Sequence, residues 1–204
     1  MKKILLLAVL ALALPTAMFA GSSVDYTNSG GTLSGSSSGL SLSGSVLIAV
    51  NGLNGGGLIT GADLGSVSFS TGALTSGSLQ MGGTFAGGAG SWFTITGNGT
   101  NGVPNGTLFT GTFDGPVTWT LVTLANGTHN YTLTGSVSGW TGSGAPTSGA
   151  TVQLTINTGK GFFNGSTTIS SGDSNIAVPE PGSLGLLGTG LIGLAGLVRR
   201  KMKS

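Results

Sequence analysis

One histidine, His129, and five carboxylates, Asp25, Asp63, Asp114, Asp173 and Glu180, are the groups with which this chain could do acid–base chemistry. A hydroxyl nucleophile needs a base within hydrogen-bond reach and a further group that orients the base. Asp114 and any of many serines could complete that set with His129, yet no G-x-S-x-G elbow is present to lift a serine into reach. His129 stands beside the turn signal Asn126-Gly127 and reads as a surface histidine. Glycoside hydrolysis needs two facing carboxylates, and the aspartates are singly placed and far apart in sequence. Calcium on Asp114 or Asp173 would need a D-x-D-x-D-G type of loop, and there is none. Lys160, in Thr158-Gly159-Lys160-Gly161, lacks the earlier glycine and the following hydroxyl of a phosphate loop and reads as a solvated hairpin tip. Gly188 to Gly193 spells G-x-G-x-x-G, but no strand precedes it and no acidic residue follows. The absence of cysteine removes thiolate chemistry, disulfides and zinc-thiolate sites. The expectation is a protein that is not an enzyme, with no catalytic residue, metal or cofactor.

The aromatic residues are better candidates. Trp119 alternates with Val117 and Leu121 and belongs to a core face. Trp92 shares a face with Thr94 while Phe93 and Ile95 take the other, and Trp140, between Gly139 and Thr141-Gly142, reads as a loop residue. An exposed flat ring stacks on the apolar face of a sugar while its polar edge stays wet. Trp140 and Trp92 are therefore the candidate sugar-stacking residues.

These residues have to be positioned by a β-rich body. Residues 21–39 are rich in Gly, Ser and Thr and read as a flexible lead-in, residues 40–170 as the body, and residues 171–177 as a polar linker. Within the body, short runs with period-two alternation recur at Leu40–Val50, Ser66–Thr71, Ser78–Phe85, Trp92–Thr96, Thr107–Asp114, Val117–Leu124, Asn130–Val137, Thr151–Asn157 and Phe162–Ser170. Asn51, Asn54, Asn98, Asn101, Asn105, Asn126 and Asn164 are each followed by glycine, the pair that accepts the positive φ of tight hairpins. No stretch of the body has a good amphipathic helical period. The expected fold is all-β, an antiparallel sandwich of about nine strands, with a β-solenoid as the alternative.

The ends are of another kind. Lys2-Lys3 and the apolar run Ile4–Leu14, closed by Pro15, have the layout of a signal peptide over residues 1–20, which implies export by a Sec-type machinery. At the other end, Gly182 to Val198 holds no charge and is followed by Arg199, Arg200, Lys201 and Lys203. As a helix, residues 182–198 would extend about 25 Å, a short but workable membrane span whose basic end stays on the cytoplasmic side. The net charge of +2 comes from these ends: between them five acids face Lys160 alone, so phosphate neutralisation, and with it nucleic-acid binding, is excluded.

Val178-Pro179-Glu180-Pro181, a glycine-punctuated apolar run and a terminal basic cluster, in that order over residues 178–204, resemble the PEP-CTERM sorting signal of exported bacterial proteins. The resemblance implies temporary anchoring in the inner membrane by the C-terminal helix, with the body outside the cytoplasm. It also implies recognition and cleavage near Pro179-Glu180-Pro181 by an exosortase, and association with the cell surface and exopolysaccharide. It covers the tail alone and assigns no residue of the body a role.

Overall fold

The computed structural model describes residues 22–178. The expected signal peptide, the transmembrane helix at 182–198, the basic cluster Arg199, Arg200, Lys201 and Lys203, and the sorting residues Pro179, Glu180 and Pro181 all lie outside the described residues. Thirteen strands follow in order: β1 (Ser22–Ser29), β2 (Thr32–Ser36), β3 (Gly39–Asn51), β4 (Ile59–Ser70), β5 (Leu74–Ser78), β6 (Gly82–Phe85), β7 (Trp92–Asn98), β8 (Asn105–Phe113), β9 (Val117–Thr123), β10 (His129–Thr141), β11 (Pro146–Asn157), β12 (Ser166–Thr168) and β13 (Ser171–Val178). One turn of 3-10 helix, Leu53–Gly55, interrupts the connection after β3.

The strands close into a barrel. Its ring runs β1-β3-β4-β7-β8-β10-β11-β13 and returns to β1, eight strands in chain order. An even number of staves allows every neighbour to be antiparallel, as the paired registers are. The other strands are continuations of broken staves. β1 pairs Ser29 with Val46 of β3, and β2, after Gly30 and Gly31 at positive φ, pairs Thr32 with Ser43 of the same strand in the same register. β8 and β9 likewise share one edge of β10, pairing Phe113 with Val137 and Thr118 with Thr134 on either side of Asp114-Gly115-Pro116. β5 extends β4, β6 leads into β7, and β12, on β2, leads into β13. β3, β10 and β11 run unbroken through the full height.

We call the end that holds the connections around Ser37, Gln80, Asn126 and Lys160 the upper rim. The lower rim holds the connections at 52–58, 99–104 and 142–145 together with both ends of the described chain. The first and last staves are neighbours: Thr27 Oγ1 donates to Asp173 Oδ1 at 3.1 Å, and Asn175 Nδ2 donates to Asp25 Oδ1.

Alternation explains which face is which. In β10, Tyr131, Leu133 and Val137 are buried, while Thr132, Thr134, Ser136 and Ser138 lie on the outer face. Inside, Phe69, Phe93, Phe109 and Phe113 pack at centroid separations of 5.9 to 6.3 Å. Above them Trp119 stacks on Tyr131 at 5.0 Å with Phe163 edge-on at 5.5 Å. The upper connections lock onto this second cluster: Trp119 Nε1 donates to the Leu79 carbonyl at 2.9 Å and Tyr131 Oη to the Gln80 carbonyl at 2.7 Å. Irregular registers between β1 and β3, β3 and β4, β7 and β8, and β10 and β11 supply curvature. At one of them Gly65 has φ 144°, and a Cβ there would lie 1.9 Å from the Thr96 carbonyl oxygen, so no other residue fits.

The structure corrects three expectations. The sheet is continuous around a barrel, which replaces both the two-layer sandwich and the solenoid. The lead-in at 21–39 contains β1 and β2, with Val24, Tyr26 and Leu33 buried. The linker at 171–177 is β13, a stave hydrogen-bonded to β11 with Ile176 in the core. Among the described residues no helix is long and apolar enough to cross a membrane. The outer faces of the staves carry hydroxyls and the inner faces carry hydrocarbon, the reverse of the alternation of a lipid-facing barrel.

Candidate functional site

His129 opens β10 at the upper rim and is held there. Its ring stacks on Phe162 at 4.3 Å, its Nδ1 is 3.1 Å from the Gly161 carbonyl oxygen, and its backbone amide donates to the Gly159 carbonyl. It is buried, not the surface histidine that the sequence suggests. Asp114 sits seven positions down the same strand's edge, where its Oδ2 accepts from Ser136 Oγ at 3.2 Å and Ser138 Oγ at 2.8 Å. At about 3.3 Å per residue that separates the two groups by about 23 Å. His129 and Asp114 are not brought together, and no relay between them exists.

Among the described residues, the remaining carboxylates fall in two places. Asp63, near the lower rim, accepts from the Gly65 amide at 3.0 Å and from Asn98 Nδ2 at 3.1 Å, while its carbonyl accepts from Thr100 Oγ1 at 3.0 Å. That cluster ties the 99–104 connection to β4. Asp25 and Asp173 become diagonal neighbours across the β1–β13 seam, a proximity that a separation of 148 positions conceals in the sequence. Each accepts a hydrogen bond from the opposite strand, on a convex face. Among the described residues no group of three or more His, Cys, Asp or Glu side chains converges as a metal site would require. Lys160 is exposed in the turn after β11.

Trp119 and Trp92 lie on the faces that their alternation predicts, while Trp140 is exposed for a different reason from the one expected. Trp119 is buried at 1% exposure, whereas Trp92 and Trp140 are 43% and 57% exposed. Trp92 begins β7, with Phe93 and Ile95 turned inward beside it. Trp140 belongs to β10 and not to a loop: it pairs with Thr110 of β8 on one side and Pro146 of β11 on the other. Both indoles therefore stand on the outer face of the three adjacent strands β7, β8 and β10. Between them lie Thr94, Thr110, Thr112 and Ser138, with Asp114 above. Sequence reasoning found the two rings and Thr94 but not Thr110, Thr112 and Asp114 between and above them, because those belong to β8 and the residue that follows it, whose position only the pairing reveals.

Val178 is the last residue of β13. The family described as the PEP-CTERM protein-sorting motif matches residues 177–201, beginning inside that final stave. No curated protein and no solved structure matches the chain. The chain carries a PEP-CTERM sorting motif at its C-terminus, and the motif implies export, transient membrane anchoring and processing by an exosortase.

Proposed function

We propose that this chain, with its PEP-CTERM tail, is a non-enzymatic surface or extracellular-matrix protein. An N-terminal signal peptide directs it through a Sec-type machinery, and the C-terminal helix holds it briefly in the inner membrane with the barrel outside. An exosortase recognises Pro179-Glu180-Pro181 and cuts near it, and the released barrel reaches the cell surface and associates with exopolysaccharide. The observation that carries this reading is the match of the sorting motif from residue 177, immediately at the end of the last barrel stave. The scattered placement of His129, Asp63 and Asp114 supports the absence of catalysis.

Replacement of Pro179, Glu180 and Pro181 by alanine tests the sorting step. The expected outcome is a larger, membrane-retained form on immunoblots of fractionated cells. Unchanged size and release would reject exosortase processing of this chain.

A second reading, favoured by the exposure of Trp92 and Trp140 on one stretch of sheet, is that the barrel binds carbohydrate directly through these rings.

A further inference from the structure

We propose that Trp92 and Trp140 form the two ends of one binding track for an extended, uncharged polysaccharide chain laid parallel to the barrel axis; this deepens the carbohydrate-binding reading and rests on it. The track follows from register. Phe93 pairs with Gly111 and Thr94 with Thr110, so Trp92 stands level with Thr112, which pairs with Ser138. Trp140 lies two residues further down β10. Two strand spacings and two residues of rise separate the rings' Cα atoms by about 12 Å.

Barrel tilt then decides how the two rings face. Followed from strand to strand, the pairs Ser45 with Val67, Val67 with Ile95, Ile95 with Phe109 and Phe109 with Thr141 start in the middle of β3 and finish on the last residue of β10. The rungs thus descend toward the lower rim as they go round, because the staves lean at about 35 to 45° to the axis. Stepping across from β7 to β10 moves round the barrel in one sense, and stepping down β10 moves back in the other. The two displacements largely cancel around the circumference and add along the axis. Trp140 comes to lie beneath Trp92, facing the same way.

Such a pair is too widely spaced for one sugar ring and suits a chain with rings stacked at both ends. Thr112 offers a hydroxyl that both donates and accepts, Thr94 and Thr110 share one long hydrogen bond of 3.4 Å that a sugar hydroxyl can replace, and Ser138 Oγ, whose proton goes to Asp114, offers acceptor lone pairs. Charge fixes the ligand class. The carboxylate of Asp114 borders the track, and the one cation of residues 22–178, Lys160, follows Asn157, whose partner Asn130 is eight residues along β10 from Ser138. That is about 26 Å away. A polyanionic glycan would meet repulsion here without a counter-charge, whereas a neutral one meets none.

The test uses the secreted, processed protein and neutral oligosaccharides of glucose, mannose and galactose, one to six units long, with an oligouronate as the anionic control. Tryptophan fluorescence reports binding, since Trp119 is buried and silent to added sugar. For at least one neutral series, affinity should rise steeply once the chain is long enough to touch both rings. Trp92→Ala and Trp140→Ala should each weaken binding of the hexamer about tenfold or more, while Trp92→Tyr and Trp140→Tyr keep most of it and circular dichroism stays unchanged. Length-independent binding lost in one alanine variant and untouched by the other overturns the track but leaves the sugar-binding reading standing. Tighter binding of the oligouronate overturns the neutral assignment, and failure of all three neutral series to bind overturns both the track and the reading beneath it.

Discussion

Tyr26 shows what the barrel interior does to a single side chain. Burial pushes its phenol from the ordinary 10.0 up to about 12, because the charged phenolate would have to leave water. The folded state therefore holds a proton that the unfolded chain releases above pH 10, so the contribution of Tyr26 to stability is fully present below pH 10 and is lost as the pH rises through 12. The loss should approach ~2–3 kcal/mol, measured by urea unfolding at stepped pH, and Tyr26→Phe should remove that part of the slope. Close by, Asn28 is buried and donates from Nδ2 to Ser45 Oγ at 2.7 Å, which in turn donates to the Ser29 carbonyl at 3.2 Å. Gly172 faces this amide: a Cβ there would lie 2.5 Å from Asn28 Oδ1. Gly172→Ala should cost ~1–3 kcal/mol by forcing a hydrogen-bonded amide aside in a filled interior, seen as a lower denaturation midpoint with an unchanged slope. At this scale the sequence was readable where apolar and polar residues alternate, as around Trp119. It was silent where contacts join distant strands, as at Asp25 and Asp173.

At the scale of elements, the strands that the sequence revealed are those whose inward positions are large and apolar, such as β3 with Leu40, Leu42, Leu47 and Val50, or β11 with Val152, Leu154 and Ile156. β1 and β13 were concealed because Asn28, Gly172 and Ser174 take inward positions beside Val24, Tyr26 and Ile176, which cuts the hydrophobic period too short to read. Broken staves hid more: Gly30-Gly31 and Asp114-Gly115-Pro116 look like the ends of hairpins, yet the chain continues past each in the same direction. These concealed strands close the ring, so missing them turned a barrel into a sandwich. A chain ended after Ser170 should consequently expose the unpaired edges of β1 and β11 and aggregate, whereas one ended after Val178 keeps all its staves. Circular dichroism and size-exclusion chromatography separate the two; a monomeric, cooperative unfolder ending at Ser170 would show that β13 is dispensable.

Over the whole molecule, the sorting motif could be read from sequence because its information is local, while the barrel could not, because closure is a property of all staves together. Both ends of the barrel chain emerge side by side at the lower rim, and the last stave runs directly into the sorting motif. That arrangement gives the body a direction-dependent mechanical strength. A force applied at Val178 along β13, resisted by the barrel wall, would load its hydrogen bonds to β11 and β1 together, in shear. A pull between the two chain ends would instead peel β1 from β13 one rung at a time. Tension applied at Val178 along β13 therefore meets the barrel in its stronger direction.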